Sequence, residues 1–469
     1  MKSETVSELE LQRPESRREN AEVPPAPQPQ RASRVDLAQV AKTPPMGWNS
    51  WDCFGVSVTE AEVRANAEFM ARHLKPFGWE YVVVDLAWYA PHAHKDNYKK
   101  PGLEQLIDEH GRLIPAPNKF PSSAGGKGFK PLADYIHNLG LKFGLHIMRG
   151  IPVQAVEHNT PILGSSAHAC DIAQPADVCY WFKGNYGINM TREGAQAYYD
   201  SIVQLYASWG ADFIKADDIN SWDGEGQHEP YHTDEIEGVA EAIRKCGRPI
   251  VLSLSPGAAR VCNANHLRRH ANMWRISYDF WDNWAALKRQ FDHCRLWSPY
   301  VTEGGWPDAD MLPIGRIGIR GEVGEPRATH FTPEEQVTLM TLWCIARSPL
   351  MFGGHLPDSD PLSLAQITNA EALAVNQCSA NNRELFRRGE QIGWIADVPG
   401  TDDKYLALFN TGEAAATVTA TFAEMGLNGA TSVVRDLWAK RDEGRFTRQF
   451  GVQLKAHAAG LYRLQVLPG

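Results

Sequence analysis

Two short apolar runs in this chain end on acidic side chains: Phe213-Ile214-Lys215-Ala216-Asp217-Asp218 and Met273-Trp274-Arg275-Ile276-Ser277-Tyr278-Asp279. Two carboxylates brought to one place are the minimal equipment for cleaving a glycosidic bond. One stays ionised as nucleophile or base, and the other holds a proton to give to the departing oxygen. Each run also carries a cation, Lys215 two residues before Asp217 and Arg275 four before Asp279. Residues two apart on a strand share a face, so Lys215 and Asp217 point together and the ammonium favours the ionised acid. Asp218 competes for the same role, but strand alternation turns it to the opposite face unless the strand has already ended. The plainer role for Asp279 is an N-cap of the next helix, and for Arg275 an internal ion pair with Asp308 or Asp310.

Such residues need a scaffold that ends strands side by side. From Pro44 to about Gln377, short apolar runs alternate with longer amphipathic segments, the pattern of repeated βα units. The candidate strands run from Met46 to Trp51, Tyr81 to Asp85, Lys142 to Met148, Phe213 to Asp217, Ile250 to Ser255, Met273 to Ser277, Tyr300 to Thr302 and Leu350 to Phe352. Eight of them predict a closed (β/α)8 barrel, a TIM barrel of the α/β class. Helices are expected from Glu60 to Leu74 and from Glu193 to Trp209, the second after an N-cap at Thr191. The connection from Gly150 to about Asn189 far exceeds the roughly 2 to 6 residues of an ordinary βα loop, so it is expected to shape the pocket. Its Tyr180 and Trp181 are candidates either for a subsite wall or for pinning the loop to the barrel. After about Asn382, short alternating segments such as Tyr405-Leu406-Ala407-Leu408-Phe409 predict a C-terminal antiparallel β-sandwich. The expected division is a polar, proline-rich disordered leader over 1–42, a barrel over 43–380 and a sandwich over 381–469.

Composition narrows the partners. With 469 residues and 43% hydrophobic content the chain buries a large core, and its formal charge of −9 argues against a nucleic-acid backbone as partner. No run reaches the roughly 18 apolar residues of a membrane span, so no membrane partner is expected. The first residues lack the apolar region of a signal peptide, which as written predicts a cytoplasmic location, or a secreted or periplasmic one if the start lies elsewhere. Eight cysteines make no disulfide framework, and only Cys170 and Cys179 are plausible partners. No CxxC spacing occurs, and no metal or cofactor is expected. An oligosaccharide or simple glycoside remains the fitting partner.

The stretch Thr43-Pro44-Pro45-Met46-Gly47-Trp48-Asn49-Ser50-Trp51-Asp52, taken with the two acidic strand ends, closely resembles glycoside hydrolase family 27, which contains α-galactosidases and α-N-acetylgalactosaminidases. Asn118-Lys119-Phe120-Pro121, Leu139-Gly140-Leu141-Lys142-Phe143-Gly144 and Gly304-Gly305-Trp306-Pro307-Asp308-Ala309-Asp310-Met311-Leu312 extend the likeness nearly to the C-terminus. The resemblance implies a retaining exo-acting α-glycosidase, with Asp217 as nucleophile and Asp279 as acid/base. Trp51, Asp85, His146, Lys215, Ser255, Arg275 and Asp310 are then the candidate sugar contacts. Three of them also have an ordinary alternative: core packing for Trp51, a rim cap or salt bridge for Asp85, and a satisfied rim histidine for His146.

The resemblance weakens at the rim. Galactose-specific members usually carry two adjacent aspartates at the end of strand two, whereas here Leu86 follows Asp85. Ser253-Leu254-Ser255 lacks the bulky pair that reads the sugar's 2-position, and Met148-Arg149-Gly150 replaces an acidic segment. Terminal α-galactosides are therefore the leading substrate by resemblance. Isomaltosyl units, α-N-acetylgalactosaminides and β-L-arabinopyranosides are alternatives, as is a catalytically silent carbohydrate-binding protein.

Overall fold

The computed structural model describes residues 34–220, 222–224 and 227–467. Eight short strands lie parallel: β1 Met46–Asn49, β2 Tyr81–Val84, β3 Lys142–Met148, β4 Ala211–Asp217, β5 Val251–Leu254, β6 Met273–Arg275, β7 Trp306–Asp308 and β8 Leu350–Phe352. They neighbour one another in the order 7-6-5-4-3-2-1-8. The two ends meet just past β7, where Leu312 pairs with Phe352. There the Leu312 N–H donates to the Met351 carbonyl (2.8 Å) and the Gly353 N–H to the Leu312 carbonyl (3.0 Å). This is the TIM-type barrel that the alternation of apolar runs and amphipathic segments foretold.

The period of two along each strand sets what faces inward. Tyr81, Val83, Phe213, Val251, Met273, Trp306 and Met351 form one buried cluster that plugs the barrel. Continuing up the same faces, Phe213 leads to Lys215 and Asp217, Met273 to Arg275, and Val83 to Asp85. The plug leaves no room at Gly144, where an added Cβ would lie 2.9 Å from both Phe213 Cβ and Val83 Cγ2. Polar groups therefore gather above an apolar floor, at the strands' C-terminal ends.

One expected strand is misplaced. Tyr300 closes the 3₁₀ turn Ser298–Tyr300, and Thr302 makes only an isolated bridge with Gly305. The seventh strand is Trp306–Asp308, whose Pro307 sits opposite Trp274 in the parallel register. The helix expected from Glu193 starts at Ala195, after Gly194 in the left-handed conformation, and Thr191 bonds Asn189 instead of capping it. The helix Glu60–His73 has the capping box its sequence encodes, Thr59 with Glu62. Cys170 and Cys179 are not bonded: all eight cysteines are free, Cys170 on the surface with Sγ 3.3 Å from the Val156 carbonyl and Cys179 buried.

Residues 1–33 of the expected leader lie outside the described residues. Arg34 to Lys42 is packed against the barrel: the Val35 N–H donates to the Arg244 carbonyl, and the Trp306 indole N–H donates to the Ala41 carbonyl (2.8 Å). Within the long connection, Ile151–Pro152, Asn185–Ile188 and Ala173–Val178 form a small antiparallel sheet with Asn185–Ile188 in its centre. The last part of the chain folds as a six-stranded antiparallel sheet faced by the pair Ala416–Thr421 and Gln449–Leu454. Leu406, Leu408, Val418, Phe422, Phe450 and Leu464 pack between them, giving a β-sandwich. The helix Pro333–Ala346 is buried along its whole length from Thr338 because it has the barrel on one side and the sandwich on the other. Thr338 Oγ1 donates to the His457 carbonyl and the Trp438 indole N–H to Thr341 Oγ1, so the two layers are joined by bonds across that helix. No helix among the described residues is long and apolar enough to cross a membrane.

Candidate active site

A cavity of about 310 Å³ opens at the C-terminal ends of the strands. Trp51, Asp85, Lys215, Asp217, Ser255, Arg275, Asp279 and Asp310 all line it, so eight of the nine candidate site residues meet there. His146 does not line it. The imidazole has no exposed surface and lies behind Asp217, with Nε2 3.1 Å from Asp217 Oδ2.

Asp217 ends β4 and is 7% exposed. Burial alone would push its carboxyl upward. The hydrogen bond and charge of His146, together with the Lys215 ammonium, prevail and hold it below the usual carboxylate range. The Asp218 N–H adds a bond to Oδ1 at 2.9 Å. Asp218 itself has φ +58° and turns its carboxylate onto Arg149 (3.0 Å), away from the cavity. Only one of the two adjacent acids therefore presents to a ligand.

Lys215 donates to Asp85 Oδ2 at 2.8 Å, and Asn49 donates to the same oxygen at 2.7 Å. Burial opposes ionisation of Asp85, but Lys215 and His146 outweigh it and bring the carboxyl down to about 2. Lys215 is shifted up: burial works against its charge, while Asp85 and then Asp217 favour it. Asp85 and Lys215 are thus a fixed charged pair able to hold sugar hydroxyls through their free valences.

Asp279 is the exposed member of the set, with 51% of its side chain accessible. It does not cap the next helix, Trp284–Trp297, whose N-cap is Asn283. Arg275 Nη2 bridges Asp310 (2.8 Å) and Asp279 (3.2 Å), so the ion pair considered for Arg275 exists alongside its place in the cavity. Asp310 has φ +85°, a conformation that a non-glycine residue keeps only when its surroundings fix it. The fixing groups are Arg275 and the N–H groups of Phe280 and Met311, both at 2.8 Å from its carboxylate. Asp308, two residues earlier at the end of β7, is pushed up to about 7 by burial and by Asp310.

Four charged or hydroxyl-bearing side chains of the cavity, and Arg149 in its support, were not among the site candidates. Asp52 follows Trp51, and its carboxyl is raised well above the ordinary range by burial and by Asp310. Tyr98, Lys99 and Glu322 come from loops far apart in the chain, with Lys99 and Glu322 ion-paired to each other. Arg149 lies behind the site and is described below. Only Asp52 sat beside a flagged residue, and no local pattern announces the other four. Tyr180 and Trp181 reach the rim, the position expected of a subsite wall.

Among the described residues, two other groups of side chains have the composition of metal ligands: Asp177, His232 and Glu235, and Glu237, His266 and His270. In the first, both carboxylates are committed to Arg149. In the second, His266 is satisfied on both nitrogens, by the Tyr231 hydroxyl (2.6 Å) and by Glu237 (3.2 Å).

Comparison with known proteins places this arrangement. The family profile described as alpha galactosidase A matches residues 43–155 and 183–378, and that of the alpha galactosidase C-terminal beta sandwich domain matches 389–464. A GH27 β-L-arabinopyranosidase of Geobacillus stearothermophilus is 52% identical, with TM-score 0.88 over 92% of this chain and 98% of its own. A candidate α-N-acetylgalactosaminidase from Bacillus halodurans is 44% identical, with TM-score 0.82 over 92% and 99% of the two chains. Alpha-galactosidase 2 of Arabidopsis thaliana is 27% identical over 91% of this chain and 90% of that one. With a family profile covering most of the chain and a pair of acids in one barrel-end cavity, the protein belongs to glycoside hydrolase family 27 and is a glycoside hydrolase.

Proposed function

We propose that the protein is a retaining exo-glycosidase with Asp217 as nucleophile and Asp279 as acid/base, and that β-L-arabinopyranosides are its preferred substrates. The observation that carries the substrate is Leu86, an apolar side chain on the cavity wall directly after Asp85. A β-L-arabinopyranoside has the ring configuration of an α-D-galactoside but lacks the exocyclic hydroxymethyl group. An apolar wall suits the sugar with one hydroxyl fewer, because a hydroxyl facing leucine would go unpaired at a cost of about 1 to 3 kcal/mol. The 52% identity to a β-L-arabinopyranosidase supports the same choice.

The charges suit the chemistry. Asp217, held ionised by His146 and Lys215, attacks the anomeric carbon, while Asp279 protonates the departing glycosidic oxygen. Asp279 then takes a proton from the water that releases the sugar, and Arg275 beside it balances the charge that alternates there. Asp85, Lys215 and Asp310 hold hydroxyls on the closed side. Trp51 offers a flat apolar face, and Ser255 a small polar wall. A cavity closed below by the barrel plug admits a chain end, which favours exo action.

An α-galactosidase is the second reading, favoured by the curated relatives at 27–29% identity. Rates on p-nitrophenyl β-L-arabinopyranoside, α-galactoside and α-N-acetylgalactosaminide separate the two. The proposal expects the highest kcat/KM on the pentoside and a loss of orders of magnitude in D217N and D279N. A higher kcat/KM on the galactoside would select the second reading, and near-normal turnover in either variant would remove the assigned roles.

A further inference from the structure

Arg149 stands where the apolar run of β3 ends, and 1% of its side chain is exposed. A buried guanidinium is destabilising unless its donors are answered by a matching set of acceptors. Here Nε donates to the Asp218 carbonyl (2.7 Å), and Nη2 to Asp218 Oδ2 (3.0 Å) and Asp177 Oδ1 (2.9 Å). Nη1 donates to Asp177 Oδ2 and Glu235 Oε1, both at 2.8 Å. The Tyr199 hydroxyl bonds the other oxygen of Glu235. The fit is tight enough that a Cβ at Gly187 would lie 2.5 Å from Nη1 and 2.1 Å from Asp177 Oδ2.

Two of these contacts bear on the cavity, which Arg149 itself does not line. The guanidinium grips both the carbonyl and the carboxylate of Asp218, a non-glycine residue at φ +58°. In that conformation the Asp218 N–H points at Asp217 Oδ1, and the Arg149 N–H donates to the Asp217 carbonyl at 2.9 Å. On the other side, Asp177 belongs to strand Ala173–Val178, within the stretch that lies between the two matched segments of the family profile. The turn from that strand to Asn185–Ile188 carries Tyr180 and Trp181 to the rim.

We propose that Arg149 is a positioning residue with two tasks: it fixes the left-handed turn at Asp218 that orients the Asp217 carboxylate, and through Asp177 it docks the Tyr180–Trp181 hairpin onto β4. The first task rests on the reading of Asp217 as nucleophile. In R149K a single ammonium replaces a planar fork that answers three residues on different elements. With the Asp218 turn released, kcat falls by on the order of 10²-fold. The acidic limb of the kcat/KM profile also moves to higher pH, because Asp217 loses a bond to its charged form while His146, Lys215, Asp85 and Arg275 still face it. In D177N, whose side chain is partly exposed, the hairpin loosens and KM rises by about tenfold with kcat kept within a few-fold.

The experiment is kinetics of R149K, D177N and D217N across pH, with thermal melting to show that each is folded. Folded R149K with the wild-type acidic limb, or D177N with the wild-type KM, overturns the corresponding task. If R149K does not fold, D177N decides alone, and an unchanged KM rejects the proposal. An active D217N would instead refute the nucleophile assignment, so the two failures are distinguishable.

Discussion

Replacing His146 with phenylalanine separates two effects of one buried ring. The imidazole is fully buried, Nε2 bonds Asp217 at 3.1 Å, and Nδ1 has no partner among the described residues. A hydrogen bond to a charged group contributes about 1.5–3 kcal/mol, and Asp217 has only 10% of its side chain open to screening water. At 1.36 kcal/mol per unit, losing that bond moves the acidic limb of kcat/KM upward by about one to two pH units. The sign follows from the partner: His146 favours the ionised acid, so without it more of the enzyme is protonated and inactive at low pH. The basic limb should stay in place, since His146 is not in contact with Asp279. Stability at neutral pH should fall by about 1.5–3 kcal/mol, the bond lost from ionised Asp217, since eliminating an unpaired buried nitrogen offsets the cost of fitting a larger ring, each about 1–3 kcal/mol. The assay is a pH profile on the pentoside beside a thermal melt. A folded H146F enzyme with the wild-type acidic limb would refute the claim that His146 sets the ionisation of Asp217.

Two further outcomes are expected. L86D returns a hydrogen-bond acceptor to the cavity wall and should raise the galactoside-to-arabinopyranoside ratio of kcat/KM by about 10- to 100-fold. It should also lower stability by about 1.5–3 kcal/mol through the lost apolar burial, with Asp85 beside it adding to the cost; an unchanged ratio in a folded variant would remove Leu86 from the specificity argument. Asp308 is held at about 7 in the fold against roughly 3.9 in an unfolded chain, so the folded state keeps a proton that the unfolded state has lost. Stability should therefore decline as pH rises from about 4 to 7, on the order of a few kcal/mol. D308N, whose side-chain oxygen still accepts the Asp310 N–H, should flatten that decline in melts across pH; equal pH dependence in both proteins would contradict it.

Much of this was legible in the chain because the barrel repeats a simple rule. Apolar alternation placed five strands within a few residues and two, Lys142–Met148 and Leu350–Phe352, to the residue; the same alternation carried Lys215, Asp217 and Arg275 to one cavity. The rule failed at Trp306–Asp308, a three-residue strand with a proline at its centre, while Tyr300-Val301-Thr302 has strand-forming residues but follows Pro299 and turns. The choice between Asp217 and Asp218 could not be finished from sequence, since it depends on a left-handed residue held by Arg149 from another strand. Arg149 itself read only as a departure from an acidic pattern, because its meaning lies in Asp177, Asp218 and Glu235, up to 86 positions away. Tyr98, Lys99 and Glu322 were hidden for the same reason: each belongs to a loop whose course is set by tertiary packing.

As the proposed nucleophile, Asp217 is expected to form a covalent bond to the sugar. Incubation with an activated 2-deoxy-2-fluoro glycosyl donor of the preferred substrate, followed by intact-mass and peptide mapping, measures that bond directly. The expected result is one sugar added per chain, on Asp217, with turnover lost in step and no adduct in D217N. An adduct on another carboxylate such as Asp218 or Asp85, or unlabelled enzyme that releases a product of inverted configuration, would contradict it.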